Sequence, residues 1–280
     1  MEKFFGFDFG EENSNVILLS FLLGKNSIKS INFFRKFSLF FETFDLERKK
    51  GIRIFDSGNF RPKNASEIAK KVKEVLEKKK FPVIISKSHL ISLFSLQAFE
   101  KDIKIIVLDA HADAKNFYFD EKVKDSTWPL RLENNYYNCS TWLRRAVENG
   151  YKNFFILGLR ACSEDELNFL EDNRILYFTS TYIKKNLEDV KKKVRKFSRN
   201  SKIYLSLDID FFDPSFAPAV ENPEPNGLSY LEFREIIDGI KISCADLVEF
   251  SLAPKKLMEI TYPLALKSLF DLVLKFNYDI

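Results

Sequence analysis

Short apolar, β-branched runs recur along this chain, and a stretch with helical periodicity separates each from the next. The runs read as strands at Val83 to Ser86, Lys104 to Asp109, Asn153 to Leu157, Ile175 to Phe178, Ile203 to Asp208 and Ala245 to Phe250. The intervening stretches read as helices at Ala65 to Lys80, Ser92 to Glu100, Thr141 to Asn149, Glu164 to Glu171, Ile183 to Phe197, Tyr230 to Ile240 and Pro263 to Phe276. Strands this apolar are buried on both faces, and helical crossovers join parallel neighbours. The expected fold is therefore α/β, a three-layer α/β/α arrangement around a mainly parallel sheet. Before residue 60 the pattern is harder to read, with strands expected at Val16 to Leu23 and Arg53 to Phe55. No repeat or linker divides the chain, so residues 1–280 are expected to form a single domain.

Composition removes several classes of function. The early apolar run Val16 to Leu23 falls short of the roughly 20 residues that span a bilayer. Glu11 and Glu12 precede it and no small-residue cleavage site follows, so it is not a signal peptide either. With 44 basic residues against 40 acidic ones, the totals carry no nucleic-acid footprint. The Lys-rich stretches from Lys70 to Lys80 and Lys184 to Lys196 read as solvated faces of helices. Three cysteines, Cys139, Cys162 and Cys244, lie far apart, which argues against a disulfide framework and for a reducing interior. A cytoplasmic protein that meets neither membrane nor nucleic acid is expected.

In a sheet of this kind, ligands bind outside the carboxyl ends of the strands at a topological switch point. Two runs carry polar residues there. Ile105-Ile-Val-Leu-Asp-Ala-His-Ala-Asp113 runs into Asp109, His111 and Asp113, and alternation in extended chain turns all of these to one side. Ile203-Tyr-Leu-Ser-Leu-Asp-Ile-Asp210 does the same with Asp208 and Asp210. Carboxylates gathered in a poorly solvated place stay ionised only beside positive charge, and neither run has a Lys or Arg at the right alternation. The chain has 2 histidines, His111 within one run and His89 beyond the strand that ends near Ser86. Both histidines and all these aspartates thus fall at predicted strand ends. Carboxylates with imidazole make a borderline-hard donor set suited to Mn²⁺, with Zn²⁺, Co²⁺ or Fe²⁺ as alternatives. Shared carboxylates make two metals more natural than one, and such pairs lie about 3.5–4 Å apart and activate a bridging water.

These residues resemble the ureohydrolase family, the arginases and agmatinases. Asp109-Ala-His-Ala-Asp113 fits the family's DAHxD motif, and Ser206-Leu-Asp-Ile-Asp-Phe-Phe-Asp-Pro-Ser-Phe-Ala-Pro218 fits SxDxDxxDPxxxP. Gly158-Leu-Arg160 is similar to its GIR strand end and Asp246-Leu-Val-Glu249 to its DxVE segment; the likeness spans about residues 42 to 275. The resemblance implies an arginase/deacetylase-like fold holding two divalent ions, most simply Mn²⁺. One would be held by His89, Asp109, Asp113 and Asp208, the other by Asp109, His111, Asp208 and Asp210. Glu249 matches the glutamate that pairs with a substrate guanidinium. The implied reaction is hydrolysis of a linear guanidino compound to urea and an amine by a metal-bridging hydroxide, with Asp210 hydrogen-bonded to the nucleophile. The family's habit also implies a homo-oligomer, a trimer or hexamer.

The chain departs from the family pattern at several points. Where the family has GGDHS, this chain has Ser86-Lys-Ser-His-Leu90; Lys87 reads as a surface residue, and turned inward it would weaken metal binding or pair with an anionic substrate. Where the family places a proton-shuttling histidine, Cys139 or its neighbour Asn138 stands. A free thiol titrates near about 8.5, roughly two units above imidazole, and makes a poorer shuttle at neutral pH. After Pro218 the family's threonines are replaced, and Glu221 adds an anion near the mouth. The loop Lys115 to Asn135, expected at the entrance, is unlike the substrate loop of arginase. An agmatine-like substrate with a cationic tail fits such a mouth. Guanidinobutyrate and formiminoglutamate are the alternative substrates, and a divergent metal-binding paralogue acting as a structural or regulatory subunit is the alternative function.

Overall fold

The computed structural model describes residues 2–276 apart from 8, 25 and 119–134. Most of the entrance loop expected at Lys115 to Asn135 therefore lies outside the described residues. In chain order the strands are β1 (Val16–Phe21), β2 (Phe44–Asp45), β3 (Lys50–Gly51), β4 (Ile54–Phe60), β5 (Phe81–Ser86), β6 (Lys104–Leu108), β7 (Asn153–Leu159), β8 (Leu176–Thr179), β9 (Ile203–Asp208) and β10 (Cys244–Val248). An 8-stranded sheet has the order β4-β1-β5-β10-β9-β6-β7-β8, and every pairing within it is parallel. The short β2 and β3 pair antiparallel beside it.

Successive residues of one strand feed opposite faces, as the pleat requires. Ile106 and Leu108 of β6 and Leu205 and Leu207 of β9 join a core closed by Phe233, Ile236, Leu266 and Phe270 from helices Tyr230–Ile237 and Lys255–Phe276. Ile105 and Val107 face the other way, onto a core with Val72, Leu93 and Leu143 from helices Ala65–Glu77, Leu90–Leu96 and Trp142–Glu148. This is the three-layer arrangement that the apolar runs predict. No helix among the described residues is long and apolar enough to cross a membrane.

The amino-terminal region departs most from sequence expectation. Residues Asp56, Ser57, Gly58 and Asn59 look like turn formers, yet β4 continues through them to Phe60. The reason is tertiary. Helix Ser27–Phe37, which the periodicity does not reveal, buries Arg35, and its Nε donates to Asp56 Oδ2 at 2.7 Å. Elsewhere the helix expected over Ile183 to Phe197 is interrupted at Asn186, giving Ser180–Lys185 and Leu187–Ser198. The last helix begins at Lys255, with Pro263 inside it and not at its start.

The strand order sets the position of the site. Strands β5 and β6 follow one another in sequence but lie apart in the sheet, with β10 and β9 inserted between them. The chain diverges in opposite directions at that point, which opens a crevice at the carboxyl ends of these four strands.

Candidate metal centre

Each of the four central strands delivers polar residues into that crevice. Beyond β5 comes His89, at the start of helix Leu90–Leu96; beyond β6 come Asp109, His111 and Asp113. Strand β9 ends on Asp208 with Asp210 just after it, and Glu249 directly follows β10. Asp113 and Glu249 hold left-handed backbone, with φ of 50° and 61°. Such strain in a non-glycine residue costs about 1–2 kcal/mol and persists where surrounding structure imposes it.

Gly158 explains how β7 packs against this region. Its φ is +98°, and a Cβ there would lie 2.7 Å from Phe211 Cδ2 and 2.9 Å from the Asp109 carbonyl oxygen. Only glycine lets β7 approach the two loops this closely. Two residues on, the Arg160 guanidinium donates to the Asp210 carbonyl at 2.5 Å and, through Nε, to the Glu224 carbonyl at 3.1 Å.

Backbone amides fix one oxygen of several carboxylates. Asp109 Oδ1 accepts from His111 N at 2.6 Å, Asp208 Oδ1 from Asp210 N at 2.9 Å, and Asp210 Oδ1 from Ala110 N at 3.0 Å. The other oxygens converge. Asp109 Oδ2, Asp113 Oδ2 and Asp208 Oδ2 lie 3.2, 3.1 and 3.2 Å from His89 Nδ1. A second group brings His111 Nδ1 to 2.8 Å from Asp210 Oδ2 and 3.7 Å from Asp109 Oδ1. Asp109 belongs to both groups; His89, Asp109 and Asp113 in the first, and Asp109, His111 and Asp210 in the second, present donor atoms close enough together to hold one metal ion.

The hydrogen bonds behind His89 determine what its inner nitrogen offers. Buried Asp246 accepts from Ser206 Oγ at 2.6 Å, Ser92 Oγ at 2.6 Å and Tyr204 OH at 2.5 Å. With its proton committed to Asp246, the Ser206 hydroxyl accepts from His89 Nε2, 2.8 Å away. A neutral ring would present its lone pair at Nδ1 to a cation; without one, burial disfavours charge on the ring but Asp109, Asp113 and Asp208, whose oxygens Nδ1 faces, outweigh it and hold the imidazole well above its ordinary value. His89 Nδ1 and Asp109 Oδ2 are buried without a hydrogen-bond partner. Imidazole and carboxylate donors gathered this closely fit a cation.

The charges tell the same story. Burial, then the charges of Asp210 and Asp109, pushes the Asp208 carboxyl well above the carboxylate range, and burial with Asp109 pushes Asp113 up to about 6. Burial also works against the charged form of His111, but Asp109 and Asp210 outweigh it and push the ring up to about 12. Asp109 goes the other way, since the two histidines outweigh its burial and hold it below the carboxylate range. One carboxylate drawn down, its neighbours pushed up and the imidazoles held protonated describe acids competing for too few cations.

A cavity of about 450 Å³ opens onto the cluster and is lined by His111, Asp208, Asp210, Cys139, Glu221 and Glu249 among others. Glu249 lies on its inner wall, with Oε1 accepting from His89 N at 2.7 Å. Burial, with Glu221 second, pushes its carboxyl up to about 8. Cys139 lines the cavity half-buried, its Sγ 3.9 Å from Ser140 Oγ, whereas Asn138 is spent capping that turn, accepting from Ser140 N at 3.0 Å. Lys87 corrects the expectation of a surface residue. Its side chain is only 15% exposed, and its Nζ donates to Glu221 Oε1 at 2.6 Å.

Two supporting residues gave no clear sequence signal. Trp142 is fully buried, donates from Nε1 to Asp113 Oδ2 at 3.0 Å, and packs its ring 4.7 Å from that of His89. A lone tryptophan at a helix start looks like core filler. Glu166 caps its own helix at Ser163 and accepts from Ala114 N at 3.1 Å, steadying the loop after Asp113. The Ser163-x-x-Glu166 spacing announces the cap but not that second bond.

A parallel α/β sheet whose switch point gathers two histidine–aspartate clusters around a shared aspartate belongs to a class of proteins built so that they could hold metal ions there. Sequence comparison then gives the family: residues 32–274 match the Arginase family, and the chain belongs to it. An uncharacterized 32.2 kDa protein of Methanothermus fervidus is 29% identical over 227 residues, covering 77% of this chain and 74% of its own. An agmatinase of Halalkalibacterium halodurans is 29% identical over 216 residues, 72% of this chain and 68% of its own. The agmatine ureohydrolase of Thermoplasma volcanium shares the fold with a TM-score of 0.81 at 23% identity, over 99% of this chain and 94% of its own.

Proposed function

We propose that the protein is a binuclear metal hydrolase of a linear guanidino compound, agmatine-like in carrying a cationic tail, and that it releases urea and an amine. The observation that carries this reading is the pair of clusters sharing Asp109 at the floor of a cavity whose wall bears the buried carboxylate of Glu249. His89, Asp109, Asp113 and Asp208 would hold one ion, and Asp109, His111, Asp208 and Asp210 the other. The donor set suits Mn²⁺. When bound, the ions neutralise the carboxylates and supply a water-derived nucleophile at neutral pH.

The chain's own residues do the rest. Glu249 accepts the planar guanidinium through two parallel N–H bonds, orienting its carbon toward the cluster. Its strained backbone and its bond to His89 N hold the carboxylate in place. Asp210 hydrogen-bonds the attacking water at the outer cluster. Glu221 faces the cavity as the acceptor for the substrate's tail. The leaving nitrogen needs a proton, and Cys139, at the cavity wall, is the group at the position where the family carries histidine. General acid–base groups contribute about 10²–10⁴-fold, so a thiol there lowers the rate without abolishing it. The bland alternative, a metal-binding paralogue without catalysis, draws its support from that thiol.

The test offers manganese-loaded protein agmatine, arginine and guanidinobutyrate, with urea and bound metal measured on the same sample. Urea from agmatine with two ions per chain is expected, and Asp210→Asn should abolish it. Two ions bound and no urea from any substrate would favour the non-catalytic paralogue. No bound metal would overturn the reading.

A further inference from the structure

Lys87 and Glu221 come from different strand-end loops, the first beyond β5 two residues before His89, the second beyond Pro218. Their ion pair, Nζ to Oε1 at 2.6 Å, closes the side of the crevice next to Glu249. A Cβ on Gly24 would stand 4.0 Å from Lys87 Cδ, so the stem runs close to that glycine; the lysine side chain is 15% exposed and that of Glu221 39%. Glu221 lines the cavity, and Lys87 does not line it but is paired to Glu221. Glu221 and Lys87 also act on the Glu249 carboxyl with opposite sign, the glutamate disfavouring its charge and the lysine favouring it. One cation thus balances one of two carboxylates that share a wall.

We infer that Lys87 sets the selectivity for the charge of the substrate's tail, acting as a positioning residue through Glu221. This rests on the ureohydrolase reading and deepens it. The cavity takes a guanidinium at Glu249, and the substrate's other end meets Glu221. An ω-guanidino amine brings a cation to that carboxylate. An ω-guanidino acid brings an anion, which Glu221 repels and Lys87 attracts. While the pair is intact, Lys87 cancels part of the glutamate's field, so discrimination against the acid is partial. Neither residue follows from the family motif: the sequence there reads Ser86-Lys-Ser-His in place of GGDH, and Glu221 replaces a threonine-rich run.

The inference predicts shifts of opposite sign. Lys87→Met removes this cation from beside the glutamate and raises the ratio of kcat/KM for agmatine over guanidinobutyrate. Glu221→Gln removes the anion from beside the lysine and lowers that ratio. Each shift should be roughly two- to fivefold, as for a partly exposed charge contact. The double variant should return near the wild-type ratio. The changes should fall mainly on KM and shrink at high ionic strength. All four proteins are measured with saturating manganese and their bound metal counted. A structural role alone would lower kcat/KM for both substrates together and leave the ratio and its salt dependence unmoved, which would overturn the inference. Urea from neither substrate with wild-type protein would overturn the ureohydrolase reading and this inference with it; urea with an unmoved ratio overturns this inference alone.

Discussion

Trp142 Nε1 donates a hydrogen bond to Asp113 Oδ2, the same oxygen that lies 3.1 Å from His89 Nδ1. The indole therefore aims a carboxylate whose backbone is already held in left-handed conformation. Its ring packs on His89 as well, so one side chain steadies donor atoms from two strands.

Trp142→Phe keeps the ring and removes the donor. Outer hydrogen bonds to metal ligands are typically worth about 10–100-fold in metal affinity. A loss of that order is expected at the cluster that includes His89 and Asp113. Competition with a metal indicator checks it, and circular dichroism should be unchanged. An unaltered affinity would mean the indole only fills space.

Asp246 acts one step further out, through Ser206. Its three accepted bonds hold the serine proton away from His89, which fixes the proton on Nε2. Asp246→Ala frees Ser206 to donate to the ring, and the tautomer with Nδ1 protonated then competes with metal. We expect manganese affinity to fall by roughly tenfold or more. Ser206→Ala should have a similar effect, and the double variant should be little worse than either single one, because both act along one chain of bonds. Additive losses would separate the two residues.

How far the sequence discloses this arrangement depends on where its signals are local. The central strands were legible because continuous apolar runs mark them, and the cluster residues because carboxylates at the ends of such runs are out of character. Strand β4 beyond Phe55 was hidden, because Asp56 belongs to a buried pair with Arg35 on a helix whose own polar residues mask its periodicity. Trp142 and the bond from Glu249 to His89 N were hidden for a related reason. Those contacts join segments far apart in sequence, and nothing within either segment predicts the meeting. Lys87 was misread because a lysine is normally solvated, and its partner Glu221 lies on a loop far away in sequence.

Gly158→Ala tests the packing that supports the centre from the side. An alanine must adopt a φ of +98° and place its Cβ 2.9 Å from the Asp109 carbonyl oxygen. Backbone cannot yield as a flexible side chain does, so a loss of about 2 kcal/mol or more is expected. Differential scanning calorimetry of the metal-free protein should show Tm lower by several degrees. Manganese affinity should fall too, since the displaced carbonyl belongs to Asp109. An unshifted Tm would mean that β7 has room to move away.

Metal removal should expose the conflict built into the cluster. In the stripped protein, Asp109, Asp113 and Asp208 crowd around a His89 nitrogen that serves at most one of them. Folding must then either protonate buried carboxyls or leave charge unbalanced. Manganese held by these donors would bind the assembled crevice and not the unfolded chain, because the donors come from strand ends that only the fold brings together. Ligand at 100 times its Kd stabilises the native state by about 2.7 kcal/mol for a single site. Tm should therefore climb with manganese concentration and fall back on chelation. Magnesium, which prefers oxygen donors and holds its waters, should do so weakly at equal concentration. In the Asp109→Ala variant, which loses the carboxylate common to both clusters, the manganese-dependent rise should collapse. A full rise in that variant would show that the ion binds elsewhere.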